Sequence, residues 1–376
     1  MAQYTLYGAP ISYFTGKVRA YLDWKGLPYH EVLATADTFR EVILPRAGFP
    51  VIPIVVTDAG ETLQDTTDII AALELRHPTP ALAPRGALQR LAVALLELYG
   101  DEWLVIPAMH YRWHHNREWA QRAFGETNAP TASPEEQIAV GMQRAGPFAQ
   151  AAVRLGAGTP QMRAAVEKSY EALLAELDAH FQALPYALGR RPSMADFGLY
   201  GPLYAHQYRD PASGDIMRRL APHVVRWIER LQSPPTVSGG HANDFEADTI
   251  PATLEPILRR QMREQMPVLA DSAMRLTQWL QDHPGESVPR AIGMHGFELE
   301  GVQGERIVRP YSLWMMQRAR DVYCSLKGED RTRADTWLDH VGGGQFRLFQ
   351  DPPRLVRSGL SVALAPNNGE AQGLMR

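Results

Sequence analysis

A small mixed α/β unit, an all-helical bundle and a second, α+β segment are the architecture this chain predicts. Three features carry that prediction. Strand-like and helix-like stretches alternate over the first eighty residues, and helical periodicity alone runs from residue 86 to about 232. A Pro/Gly/Ser-rich stretch, SPPTVSGGHAND (233–244), then separates a remainder of mixed character. The resulting units are 1–82, 86–232 and 245–365.

In the first unit TLY (5–7) is a strand, and Val18, Tyr21, Leu22 and Lys25 follow at helical spacing. Gly26-Leu27-Pro28 stops that helix, and YHEVLA (29–34) forms a second strand. Residues 35–49 predict no regular element. Short runs at 54–56 and 61–63 flank Asp58-Ala59-Gly60, a hairpin signature. TTDIIAALELRHP is an amphipathic helix with Ile69, Ile70, Leu73 and Leu75 inward, ending before Pro78. The order β-α-β, connector, β-β-α predicts a right-handed crossover with an appended hairpin, hence a small mixed sheet flanked by helices.

The second unit starts with one long periodic stretch, 88–124, in which Pro107 predicts a kink or break. Ser133-Pro134-Glu135-Glu136 is a capping box, Thr159-Pro160 starts a helix running to about 184, Ser193-Met194-Ala195-Asp196 opens another, and 216–231 is a fifth. Helices of this length on short loops form a bundle. In the third unit 251–282 and 312–326 are helical, FELEGVQGERIV (297–308) alternates about Gln303-Gly304 as a hairpin, and 354–365 is a strand. The last eleven residues, PNNGEAQGLMR, have little to bury and predict disorder.

Composition narrows the function. The chain has 376 residues, 45% hydrophobic and 21% charged, with a net charge of −4. No basic block is present, which argues against nucleic acid as a partner. One cysteine, Cys324, excludes an internal disulfide and suits a reducing compartment. The start MAQYTLYG lacks the features of a signal peptide, and no run of about 18 uncharged apolar residues exists to span a membrane. The expectation is a cytoplasmic protein.

Three stretches carry candidate chemistry. In Val51-Ile52-Pro53-Ile54 a proline enters a strand that should be central. Either it is trans at the strand's first residue, or a cis bond turns the Ile52 backbone outward, where a peptide-like ligand can pair with it. Gln64-Asp65-Thr66-Thr67-Asp68 begins a helix. Asp65 or Thr66 either caps it, or Thr66 and the free N–H groups bind a carboxylate while Asp65 meets an ammonium. Ser12 likewise stands at a helix start, as a plain cap or as a donor to an anion. Two helix N-termini and one backbone edge around a groove suit a small anionic, peptide-like thiol, whose thiolate form both the dipole and a hydroxyl favour. Ser12 has no evident base partner, so a Ser-His-Asp hydrolase is disfavoured. The aromatic stretch DEWLVIPAMHYRWHHNREW (101–119) is either core with surface histidines or the lining of a pocket for an apolar electrophile, with Trp103, Tyr111, His114 and the nearby Tyr13 as candidates. His110 and His114 have the i,i+4 spacing of a metal pair, but no third ligand is evident, so no metal is expected.

TLYGAPISYFTGKVR, FPVIPIVV and ETLQDTTDII, followed by RPSMADFGLYGPL, together resemble the cytosolic glutathione transferases over roughly residues 3–232. The resemblance implies a thioredoxin-like N-terminal domain with a cis-proline loop and an all-α C-terminal domain whose Ser193 and Asp196 form a helix-capping box. It implies glutathione as co-substrate, no metal, a homodimer and a detoxifying conjugation. Ser12 matches the serine that steadies the glutathione thiolate; Ile52, beside cis Pro53, would bind the cysteinyl backbone. Asp65 and Thr66 would hold the γ-glutamyl end, with Asp standing where Glu or Gln is usual. The alternatives are a glutathione-dependent isomerase or lyase on the same site, or a binding scaffold. The 245–365 segment has no counterpart in ordinary members.

Overall fold

The computed structural model describes residues 3–233 and 248–366. Apart from Ser233 and Pro366, the expected linker and disordered tail lie outside them. β1 (Tyr4–Gly8), α1 (Tyr13–Lys25) and β2 (Tyr29–Leu33) form the crossover, with β1 and β2 parallel. β3 (Ile54–Thr57) and β4 (Thr62–Gln64) add the antiparallel hairpin, giving the strand order β2-β1-β3-β4. Tyr7 pairs with Ile54 and Ile54 with Gln64, so the C-terminal ends of β1 and β4 and the start of β3 share one edge of the sheet.

Residues 36–47, expected to be irregular, are helical: α2 (Ala36–Thr38), a π-helical turn (Phe39–Ile43) and α3 (Leu44–Ala47). Ile43 is their single buried residue, packed with Ala34, Ile54 and Val56, so the sequence carries no apolar period to betray them. In α4 (Thr66–Arg76) Ile69, Ile70 and Leu73 are buried as expected. Leu75 is not: it is 86% exposed, because two residues carry it about 200° round the helix from Leu73.

The helical unit comprises α5 (Ala87–Glu102), α6 (Val105–His110), a π-helical turn (Tyr111–His115), α7 (Arg117–Asn128), α8 (Pro134–Arg154) and α9 (Pro160–Ala183). α10 (Met194–Pro202), another π-helical stretch (Leu203–Tyr208), α11 (Pro211–Leu220) and α12 (Pro222–Gln232) complete it. The stretch 88–124 breaks at Trp103-Leu104, upstream of Pro107, which sits in the first turn of α6, where its missing N–H has no helical acceptor to lose. Likewise 216–231 divides at Ala221, and Pro222 opens α12.

α5 is buried on nearly every side. α10 crosses it so closely that a Cβ on Gly100 would lie 2.3 Å from the Gly198 carbonyl oxygen. The start of α10 is held by Asp196, which is wholly buried. Its carboxylate accepts from the N–H of Ala187 (2.9 Å), the N–H of Ser193 (2.8 Å), the Ser193 hydroxyl (3.1 Å) and Trp227 Nε1 (3.1 Å). Burial raises its pKa to about 6, and these donors offset part of that rise.

A 3₁₀ turn (Ala252–Leu254) leads into α13 (Glu255–Glu264) and α14 (Met266–Asp282). The hairpin β5 (Met294–Leu299) and β6 (Val302–Ile307) turns at Glu300-Gly301, both at positive φ, rather than at Gln303-Gly304. Gly304 instead stands inside β6, where a Cβ would meet Met162 at 2.7 Å. α15 (Pro310–Ser325), α16 (Gly328–His340) and α17 (Gly344–Arg347) follow. The expected strand 354–365 is a hairpin, β7 (Leu355–Ser358) and β8 (Ser361–Leu364), turning through Gly359 at φ 60°. α15 lies along α5, and one hydrophobic cluster runs through all three parts of the chain. Among the described residues no helix is long and apolar enough to cross a membrane.

Asp196→Ala leaves the Ala187 and Trp227 donors buried without acceptors and removes the cap. At about 1–3 kcal/mol per unmet donor, the loss should be about 3 kcal/mol or more, read as a fall in denaturant midpoint. A loss below about 1 kcal/mol would contradict this role.

Candidate active site at the sheet edge

The shared sheet edge brings the three predicted stretches together. β1 ends at Gly8, and Ala9–Ser12 turns the chain into α1, with the Ser12 N–H bonded to the Ala9 carbonyl at 3.0 Å. Thr15, fully buried, pins this turn by accepting from the Ala9 N–H at 3.4 Å. The Ser12 Oγ accepts the Thr15 N–H at 3.2 Å, so Ser12 is the N-cap of α1. That bond uses a lone pair of the oxygen and leaves the hydroxyl proton free to be donated. Capping and donation to an anion are therefore compatible in one half-exposed serine.

Opposite, the Ile52–Pro53 peptide is cis, and ladder pairing of β3 begins only at Ile54, so Ile52 stands outside the sheet. At the end of β4, Asp65 caps α4 through Oδ1, which accepts from the N–H groups of Thr67 (3.0 Å) and Asp68 (3.3 Å). Asp65 adopts φ 74°, a conformation that costs a non-glycine residue about 1–3 kcal/mol and recurs where function requires it. Thr66 is buried as the first residue of α4, at the helix's positive end.

Two corners of this edge are tied by a group the sequence reading did not single out. Lys17 of α1 has no exposed surface, and its Nζ donates to Glu97 at 2.8 Å and Asp101 at 2.6 Å, both on α5. Burial alone would lower its pKa; the two carboxylates outweigh that and raise it, so the ammonium stays charged. Thr67 of α4 donates to the same Glu97 oxygen at 2.7 Å. Glu97 and Asp101, an i,i+4 acidic pair on the apolar helix LAVALLELYGDE, are the signal that could have revealed a buried cation. Arg112 is a second unpredicted anchor: buried, paired with Asp210 at 2.7 Å, it donates to the Ile11 carbonyl at 2.8 Å and so positions the Ser12 turn.

The third unit reaches the other acidic residues. The Tyr311 hydroxyl of α15 donates to Asp65 Oδ2, Arg318 pairs with Asp68 at 2.9 Å, and Arg357 of β7 pairs with Asp68 at 3.0 Å and donates to the Gln64 carbonyl at 3.2 Å. An open cleft of about 460 Å³ lies beside them, lined by Asp68, Trp314, Arg318 and Arg357 among others.

The four residues considered for an electrophile pocket are placed differently. Tyr13 is buried, its hydroxyl donating to the Gly100 carbonyl, against His206. Trp103 is buried with Nε1 on Glu264 at 3.2 Å and the Arg306 guanidinium 5.0 Å above its ring. Tyr111 packs in the core against Tyr170. His114 alone of the four is exposed. Of the segment 101–119 the structure brings Arg112 to the Ser12 turn, while Tyr13 follows Ser12 directly as the first residue of α1.

Lys17→Met leaves two carboxylates buried without their cation. The expected loss is about 3–5 kcal/mol of stability, with the denaturation midpoint as readout; an unchanged midpoint would contradict the pairing.

Residues 6–81 match the family described as glutathione S-transferase, N-terminal domain, and residues 159–230 match glutathione S-transferase, C-terminal domain. Mouse prostaglandin E synthase 2 is 25% identical over 272 residues, covering 61% of this chain and 70% of its own length. The beta-etherase LigF from Sphingobium sp. strain SYK-6 aligns with 62% of this chain and 96% of its own at 19% identity and a TM-score of 0.45. A glutathione S-transferase from Methylobacterium radiotolerans, solved in complex with glutathione sulfonate, covers 66% and 97% at 20% identity and a TM-score of 0.40. The sheet edge with its three stretches falls within the first match and the Asp196 box within the second. In order along the chain, residues 6–81 and 159–230 thus carry the N- and C-terminal domains of the glutathione S-transferase family.

Proposed function

We propose that this chain is a glutathione transferase-like enzyme that activates the glutathione thiol at Ser12 for attack on a small apolar electrophile. The observation that carries the reading is the Ser12 hydroxyl: its oxygen is engaged as a cap while its proton is free, at the positive end of α1. The thiol gives up its proton to solvent, and the thiolate accepts the Ser12 hydroxyl bond. Ile52 pairs with the cysteinyl backbone. The γ-glutamyl carboxylate meets Thr66 and the N-terminus of α4, and its ammonium meets Asp65. Thiolate stabilisation and the proximity of two bound reactants supply the rate. Carbon–sulfur bond formation and departure of the electrophile's leaving group complete the step. The Asp65 corner is covered by the same chain's Tyr311. The homodimer implied by the resemblance is tested separately, by the mass of the chain in solution.

A second reading uses the same thiolate for isomerisation or lysis; a match to a protein named a synthase rather than a transferase, prostaglandin E synthase 2, is the observation that supports it. A non-catalytic binding or scaffold protein with the glutathione transferase fold is the third, motivated by the Tyr311 and Arg357 contacts on the acidic corner. Calorimetric titration separates the scaffold, which would give no heat at millimolar glutathione.

Ser12→Ala should lower conjugation of an aryl halide about a hundredfold, move the pH–rate profile to higher pH and cost about 1 kcal/mol of stability as a lost cap. If stability falls and conjugation does not, Ser12 is a cap alone. Asp65→Asn keeps the cap and removes the charge. Its KM for glutathione should rise tenfold or more with kcat little changed, and an unchanged KM would remove Asp65 from the ammonium contact.

A further inference from the structure

We infer that His110, His115 and Glu167 form a binding site for one divalent transition-metal ion of the zinc type. The sequence pointed to His110 and His114 at helical spacing and found no third ligand. The chain does not stay α-helical there: Tyr111–His115 is a π-helical turn, closed by the Asn116 N–H on the Tyr111 carbonyl at 3.0 Å. The wider i→i+5 turn brings the residues four and five positions on to flank the first. His114 stays stacked on His110 with ring centroids 5.3 Å apart, while His115, whose ring is equally near at 5.3 Å, is the one whose Nε2 meets Glu167 of α9.

His110 Nε2 lies 2.8 Å and His115 Nε2 2.7 Å from the same Glu167 oxygen. The three ligand atoms fall within 4.8 Å of one another. Bonds of about 2.0–2.1 Å in tetrahedral geometry separate neighbouring ligand atoms by about 3.3 Å. To admit an ion each contact to Glu167 must thus open by about half an ångström, and the two histidine nitrogens, within 4.8 Å of each other, must close to about 3.3 Å, a movement open to the exposed His115 and Glu167 side chains. Two imidazoles and one carboxylate suit zinc, cobalt or nickel and not magnesium or calcium, which take oxygen ligands. His110 is buried, whereas the side chains of His115 and Glu167 are 36% and 35% exposed, which leaves the remaining position to water from the solvent side. Arg112, between the histidines, points instead to the Ile11 carbonyl and Asp210. The ion would clamp the π turn to α9 and take no part in the chemistry at Ser12.

Co(II) titration of the full chain, freed of metal by chelator, tests this by visible absorption, with Zn(II) competition and thermal melts beside it. The expected result is one Co(II) per chain, displaced by Zn(II), and a melting midpoint raised by Zn(II) but not by Mg(II). His115→Ala and Glu167→Gln should each weaken Co(II) binding at least tenfold, as loss of even an outer-shell partner does. Glu167→Gln keeps the side chain's size, and the metal-free melting midpoint of each variant reports whether it folds. His114→Ala should bind as the parent does. Failure to bind Co(II) saturably, or binding that survives His115→Ala and is lost in His114→Ala, overturns the assignment and leaves two histidines hydrogen-bonded to a carboxylate.

Discussion

One buried ammonium, that of Lys17, holds the site's supports in register. Taking a charge out of water is tolerable only when opposite charges and hydrogen bonds replace the solvent, and Glu97 and Asp101 do so from the middle of α5. Because Thr67 bonds to the same Glu97, the helices that begin at Ser12 and at Asp65 are referred to one carboxylate. α5 is in turn clamped by α10 through the Gly100–Gly198 contact and by α15 on another side. Neither the small sheet nor the bundle needs a long loop to set the distance between the two helix starts.

The third unit is part of this structure rather than an appendage. Gln261 and Gln265 of α13 and its end donate to the Leu95 and Leu98 carbonyls of α5 at 2.6 and 3.2 Å, and both amides are buried. The Ser312 hydroxyl donates to the buried Glu102. Through Tyr311, Arg318 and Arg357 the same unit meets Asp65 and Asp68. In the proposed reading a γ-glutamyl ammonium would share Asp65 with a tyrosine hydroxyl already in place, so this unit sets how strongly that end of glutathione is held.

Much of this was legible in the sequence because it rests on local chemistry. Capping residues marked the starts of α1, α8, α9 and α10, and the Asp58-Ala59-Gly60 turn marked the hairpin. What stayed hidden depends on partners far along the chain. Gly304 has the look of a turn residue, yet it is glycine because Met162 packs against it. Tyr311 is separated from Asp65 by 246 positions, and no periodicity links them. The π turn at Tyr111–His115 brings His115 as well as His114 against His110 and puts His115 onto Glu167, and no α-helical spacing rule anticipates that. Trp103, Tyr111 and Tyr13 had the composition of a pocket; their burial follows from neighbours in α9, α10 and the third unit.

The central claim, that Ser12, Ile52 and the Asp65–Thr66 corner bind one glutathione, is tested most directly by a crystal structure of the full chain with glutathione. The expected complex has the sulfur within hydrogen-bond reach of the Ser12 hydroxyl, the cysteinyl backbone against Ile52, and the γ-glutamyl carboxylate at Thr66 and the start of α4. Glutathione bound elsewhere, or a sulfur turned away from Ser12 with the γ-glutamyl end off the Asp65 corner, would contradict it.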